Sequence, residues 1–222
     1  MGLISSNIEN INKELPQGVR LVAVSKFHSV EKLLEAYAAG QRRFGESRVQ
    51  ELTAKLPEMP SDVEWHFIGH LQTNKVRQLI GKTALIESID SEHLLDIVDA
   101  ESRRAGVVSR VLMQVHVARE ETKFGFLPEE LLEYFRERRF ERLTNTHICG
   151  VMGMASNTDD KERVLADFAA IAAIYRRISE IAPDLRGFDT LSMGMSDDWP
   201  LAVSEGSNLI RIGTAIFGPR EY

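Results

Sequence analysis

From residue 20 onward, short apolar runs alternate with longer amphipathic ones. LVAVSK (21–26) predicts a first strand, and SVEKLLEAYAAG (29–40) a helix with Ser29 as N-cap and Gly40 at its end. RRFGES (42–47) predicts a second strand before the helical RVQELTAKL (48–56), and WHFIGH (65–70) a third before NKVRQLI (74–80). TALIESI (83–89) reads as the fourth strand, and the segment up to Gly106 then carries Leu94, Leu95, Ile97 and Val98 in helical arrangement. VSRVLMQVHV (108–117) is the fifth strand, followed by PEELLEYFRER (128–138), where Pro128 suits a first helical turn. HICGVMGM (147–154) is the sixth, and a long helix from near Asp159 to Ile181 places Val164, Phe168, Ile171 and Ile178 on one face. DTLSMG (189–194) and LIRIG (209–213) are the seventh and eighth strands, with a short helix at 196–206 between them, and a further helix over 3–14 precedes the first strand.

Eight strands, each followed by a helix or helical turn in 222 residues, predict a single-domain (β/α)8 barrel, a TIM barrel, over residues 1–222. A doubly wound open sheet is the alternative, although no G-x-G-x-x-G follows the first strand to favour it. A hydrophobic content of 43% supports a full core. The net charge of −6 is scattered, and short mixed clusters such as RERRFER (136–142) form no basic face, which argues against nucleic acid as a partner. Cys149 stands alone, so no intrachain disulfide forms and a reducing compartment fits. Without a signal-peptide pattern or an apolar run of membrane-spanning length, a cytoplasmic protein away from membranes is expected.

In such a barrel the chemistry lies at the C-terminal ends of the strands. Those ends carry Lys26, Glu46, Gly69 or His70, Gln114 to His116, Met152 to Met154, Ser192 to Gly194 and Arg211 to Thr214. A lysine flanked by apolar sequence suits a neutral, nucleophilic amine of the Schiff-base type. It equally suits a strand-closing lysine paired with a carboxylate such as Glu46. SMGMS (192–196) and RIGTAIFG (211–218) offer glycines and the hydroxyls of Ser192 and Thr214 where barrels often bind phosphate. His66 and His70 have no cysteine or acidic cluster beside them to complete a metal shell, and Asp197-Asp198 reads as a helix N-terminal cap. KFGF (123–126) is a glycine turn without an assigned purpose, and Cys149 reads as a small buried residue.

Seven blocks, AVSK (23–26), FGESRVQE (44–51), WHFIGHLQTNK (65–75), KFGF (123–126), GVMGMAS (150–156), LSMGMSDD (191–198) and VSEGSNLIRIGTAIFG (203–218), together resemble the pyridoxal 5'-phosphate (PLP) homeostasis proteins. The resemblance implies a barrel of the alanine-racemase N-terminal type that binds PLP and serves intracellular PLP homeostasis without substantial catalysis. It implies that Lys26 holds the cofactor as a Schiff base. Ser192, the backbone around Met193, and Gly213 with Thr214 would hold the phosphate, Arg211 would face the pyridine nitrogen, and Met152 would lie on the strand lining the ring. His66 and Asn74 enter only as pocket or support residues. Apo forms of PLP-dependent enzymes are the implied partners, and a monomer is expected, with a dimer as the alternative. Two departures stand out: Ser47 replaces the asparagine many members carry after Glu46, and the segment before LVAVSK is shorter than in many relatives.

An arginine facing the ring nitrogen leaves that nitrogen unprotonated, which weakens the ring as an electron sink and disfavours decarboxylation and transamination. The alternative function, an amino-acid racemase, needs a second base opposite Lys26. In the related two-domain racemases a tyrosine supplies it through a second domain, whereas here the sequence stops at Tyr222, and Tyr37, Tyr134 and Tyr175 fall on predicted outer helices. A Schiff-base aldolase using Lys26 without PLP is a third reading. Carriage of the cofactor is the expectation.

Overall fold

Parallel neighbours in a sheet require a crossover between them, and the amphipathic segments supply it. The structure, a computed structural model, describes residues 2–117 and 124–219. Its strands are β1 (Arg20–Val24), β2 (Arg43–Glu46), β3 (Glu64–Phe67), β4 (Leu85–Ile89), β5 (Ser109–Val115), β6 (Thr146–Gly153), β7 (Thr190–Ser192) and β8 (Leu209–Ile212). They pair in sequence order and close into a barrel. Closure runs from Arg20 opposite Leu209 to Ala23 opposite Ile212, which rules out the open sheet. The helices are α1 (Leu3–Glu14) ahead of β1, then α2 (Val30–Ala38), α3 (Val49–Lys55), α4 (Val76–Leu79), α5 (Glu92–Ala105), α6 (Pro128–Arg136), α7 (Lys161–Ile181), α8 (Trp199–Ser204) and α9 (Thr214–Phe217).

Side chains alternate between the two faces of each strand, and this separates two apolar sets. Ala23, Phe44, Phe67, Ile86, Val111, Val151 and Ile210 belong to the large core between barrel and helices, with Leu33, Leu52, Leu95 and Phe168 from the helices. Val22, Leu85, Leu112, Cys149, Met152 and Leu209 form a smaller cluster that plugs the barrel interior. Cys149 is therefore a packing residue, buried and accepting a hydrogen bond from Arg110 Nε at 3.3 Å.

Two irregularities break the alternation. In β6 the register passes from Ile148 opposite Val111 to Gly150 opposite Leu112, so one extra residue bulges and both Cys149 and Met152 turn inward. Gly150 has φ 155°, and a Cβ there would lie 1.7 Å from the Thr190 carbonyl oxygen, so only glycine fits. In β4 the register shifts between Ile86 and Ile89, the stretch that contains Glu87 and Ser88.

The strands stop earlier than the sequence pattern predicts. β1 ends at Val24 and β3 at Phe67, which leaves Lys26 and His70 on the loops beyond the rim. After β3 the chain must pass close to the Ser47 backbone, where a Cβ on Gly69 would lie 2.2 Å from the Ser47 carbonyl oxygen.

Candidate functional site

Barrel closure brings β6, β7, β8 and β1 side by side, and these four strands with the segments that follow them carry the seven candidate residues. Met152 sits opposite Ser192, and Arg211 opposite Val22, four residues before Lys26. Lys26 is half-buried in the turn after β1. Gly213 and Thr214 open α9 directly after β8.

Below the mouth runs a buried polar chain. His66 Nδ1 lies 2.6 Å from Glu87 Oε1, the Ser192 hydroxyl donates to Glu87 Oε2 at 2.6 Å, and Arg211 donates to the Ser192 oxygen. Arg211 also donates to the Gly153 carbonyl at 3.0 Å and stands 3.6 Å from Glu87 Oε2. Burial pushes the Glu87 carboxyl up, but the His66 hydrogen bond, the charges of His66 and Arg211 and the Ser192 hydroxyl outweigh it and hold the group below the usual glutamate range. Burial pulls Arg211 down, opposed by Glu87 and Asp198. The guanidinium remains the cation of the site because Glu87 remains its anion.

This chain changes the expected role of one residue. Ser192 is fully buried and its only proton goes to Glu87, so in this arrangement its hydroxyl has none to give a phosphate. Its oxygen instead props Arg211. At Met193 the side chain is buried in the outer core and the N–H donates to Ser207 Oγ at 3.3 Å, so a phosphate contact there falls to the backbone around it.

What remains for an anion is the start of α9 and the loop after β7. The first N–H groups of a helix lack intrahelical partners, and the exposed Thr214 hydroxyl stands beside them. The Gly213 N–H meets Ser196 Oγ at 3.4 Å. A Cβ on Gly213 would press against Val24 at 3.3 Å, and one on Gly194, whose φ is 93°, would lie 2.7 Å from the Ala202 Cβ. An amine, a guanidinium and a glycine-lined cradle with hydroxyl donors at adjacent strand ends fit the aldehyde, ring nitrogen and phosphate of PLP. Ser192 supports that set from behind through Arg211.

The remaining candidates disperse. Glu46 is fully buried and takes Lys55 as its cation at 2.8 Å, together with the Ser25 hydroxyl at 2.7 Å. His70 pairs with Asp90 at 2.8 Å and stacks on Phe124 with ring centroids 3.6 Å apart, so the two histidines serve separate carboxylates. Asn74 is exposed beside a cleft of about 470 Å³ shared with His70 and Asp90. Asp198 occupies the N-cap of α8, yet its carboxylate reaches back to the Met195 N–H at 2.5 Å instead of into the helix. Tyr37 donates to Asp62, Tyr134 is buried in the outer core, and Tyr175 donates to the Phe188 carbonyl, all on the outer helices as expected. Tyr222 and Lys123 lie outside the described residues.

KFGF gains a purpose from its described part. Phe126 bridges to Val115, its N–H donates to the Gln114 carbonyl at 2.8 Å, and Gln114 Nε2 donates to the Phe124 carbonyl at 2.7 Å. The segment therefore returns across the end of β5. Gly125 permits the approach, since a Cβ there would lie 2.9 Å from the His116 nitrogen.

Glu87 escaped the sequence reading. Its signal was a lone acid at the same parity as Leu85 inside an apolar strand, a position that faces the barrel interior.

Comparison with known proteins identifies the family of the whole chain. The family model described as "Alanine racemase, N-terminal domain" matches residues 2–221. A pyridoxal phosphate homeostasis protein of Haemophilus influenzae is 36% identical over 228 residues, covering 100% of this chain and 95% of its own. One from Aquifex aeolicus is 39% identical, covering 91% and 88%. PipY of Synechococcus elongatus, solved without PLP, superposes with a TM-score of 0.92 at 37% identity, covering 97% of this chain and 100% of its own; the PLP-bound form gives 0.89. An alanine racemase from E.faecalis shares the fold alone, at 18% identity and a TM-score of 0.75 over 58% of its chain. The chain belongs to the family of pyridoxal phosphate homeostasis proteins, built on the alanine racemase N-terminal domain.

Proposed function

We propose that this protein binds pyridoxal 5'-phosphate covalently through the Lys26 amine and takes part in intracellular PLP homeostasis, without substantial catalysis of its own. The observation that carries this reading is the grouping of Lys26 with Arg211, Gly213 and Thr214 at the ends of the adjacent strands β1 and β8. Family membership supplies the ligand, since PipY has been solved with PLP bound. When bound, the cofactor supplies an aldehyde that condenses with a primary amine and a ring able to withdraw electrons.

The residues here favour holding over turnover. Arg211 can donate to a ring nitrogen but has no proton to surrender, and Ser192, Glu87 and His66 keep it charged and in place. Met152 lines the interior beneath the ring, and Gly213 and Thr214 receive the phosphate. A second base for racemisation is not offered by Tyr37, Tyr134 or Tyr175, since Tyr37 and Tyr175 are hydrogen-bonded on the outer helices and Tyr134 is buried in the outer core. A single cofactor-binding barrel over 1–222, acting as a monomer and passing PLP to apoenzymes, belongs to the same reading. So does a cytoplasmic setting, consistent with the buried, unpaired thiol of Cys149. No helix among the described residues is long and apolar enough to cross a membrane.

An absorption spectrum before and after addition of PLP tests the reading. The wild-type protein should develop the band of a lysine-bound cofactor and Lys26→Ala should not; an identical band in both would sink the assignment. The racemase alternative predicts solvent deuterium at Cα of an amino acid, and exchange at a catalytic rate would replace carriage with turnover.

A further inference from the structure

One face of the short helix α3 grips the loop that carries Lys26. Glu51 and Lys55 stand at i and i+4 on that face, and Arg48 is the residue that precedes the helix. Lys55 Nζ donates to the Ser25 carbonyl at 2.9 Å, to Glu46 Oε1 at 2.8 Å and to Glu51 Oε1 at 2.7 Å. Its three protons are thus all used, with the side chain only 7% exposed. Glu51 Oε1 in turn accepts the Phe27 N–H at 2.5 Å, and the Arg48 guanidinium covers the Phe27 ring at 4.9 Å.

The connectivity matters more than the number of bonds. The Ser25 carbonyl belongs to the peptide unit that precedes the Lys26 Cα, and the Phe27 N–H to the unit that follows it. Both peptide units flanking Lys26 are therefore tied to a single i,i+4 ion pair. The cation takes the carbonyl and the anion takes the N–H, so each dipole is held by the charge it favours. Phe27 gains from such a hold: its φ is 67°, a left-handed conformation costly for a residue with a side chain, which the turn bond from the His28 N–H to the Ser25 carbonyl at 3.1 Å supports locally and the ion pair ties to α3. Burial of the ring does not supply the constraint, because Phe27 is 36% exposed.

We propose that Lys55 and Glu51 are positioning residues for Lys26, fixing the backbone on both sides of it so that its amine is presented to the cofactor aldehyde in one orientation. The proposal rests on Lys26 being the cofactor amine. Neither residue needs to touch that amine, because they act through its main chain. Releasing the two peptide units should cost little of the binding held by the phosphate cradle, but slow covalent capture, since a displacement of about 1 Å can lower a reaction roughly 100-fold.

The test uses the full chain and two readouts. Amide hydrogen exchange at Phe27 is followed without PLP, and the rate of Lys26-dependent PLP capture is followed by absorbance, for wild type, Glu51→Ala, Lys55→Met and Glu51→Gln. Exchange should accelerate at least about tenfold in Glu51→Ala and Lys55→Met as the local structure opens. Capture should slow by at least about tenfold while total bound PLP changes less than about threefold. Glu51→Gln keeps an acceptor for the Phe27 N–H and should retain slow exchange. Unchanged exchange in Glu51→Ala overturns the clamp, and faster exchange with unchanged capture overturns the positioning role. If wild type shows no Lys26-dependent capture while exchange still accelerates in the variants, the backbone clamp stands and the cofactor assignment falls. Should Lys55→Met fail to fold, Glu51→Ala decides alone, since Glu51 sits at the edge with its side chain 19% exposed.

Discussion

Glu87 is the residue on which the interior of the mouth depends. It is fully buried and answers His66, Ser192 and, at longer range, Arg211. Glu87→Gln removes the anion and leaves Arg211 as a buried cation, so unfolding free energy should fall by about 3–5 kcal/mol, read from a urea transition. Glu46 differs, because burial raises its carboxyl above the usual range against the pull of Lys55, and its Oε2 is buried without a hydrogen bond. Glu46→Gln should therefore cost less, about 1 kcal/mol or below. The acid limb of stability follows from the direction of the Glu87 shift. An unfolded glutamate takes up its proton near pH ~4.3, whereas the folded Glu87 stays ionised to lower pH. Between those points the unfolded chain binds more protons, so stability falls as pH falls, and this slope should flatten in Glu87→Gln. A slope of equal steepness in both proteins would show that other carboxylates set the acid limb.

At the scale of elements, the bulge in β6 decides which of its side chains face the barrel interior. Were Cys149 paired in regular alternation instead of bulging, counting on from Ile148 would turn Met152 outward against the helices. Gly150→Ala forces a Cβ into the Thr190 carbonyl, and we expect a loss of about 2–4 kcal/mol together with weaker PLP binding. Gly106→Ala is the control: its φ is 67° but nothing lies within 4 Å, so it should cost only about 1 kcal/mol and leave PLP binding unchanged. Equal losses in the two variants would remove the special status of the bulge. Strand and helix positions were legible because each apolar run had a single period. The bulges were not, because a bulge is one added residue inside such a run and leaves no gap in the hydrophobic pattern. For the same reason Lys26 read as the end of a strand, although β1 stops at Val24 and the lysine belongs to a clamped turn.

For the whole molecule, closure of the barrel is what assembles the site. Lys26 and Arg211 are far apart in sequence, and only the pairing of β1 with β8 makes their strands neighbours. The eightfold alternation made that closure legible, and the family resemblance named the ligand. The hydrogen-bond commitments of Ser192 and Met193 were hidden, since they depend on which protons are already taken in the folded state. Binding to the folded state alone stabilises it by about 2.7 kcal/mol at a ligand concentration 100 times Kd. PLP should accordingly raise the melting temperature of the wild-type protein, and raise that of Lys26→Ala much less. The most direct test of the central claim is borohydride reduction of the PLP-loaded wild-type protein followed by peptide mass mapping. The account predicts one pyridoxyl phosphate adduct per chain, on Lys26; a dominant adduct on another lysine, or none, would contradict it.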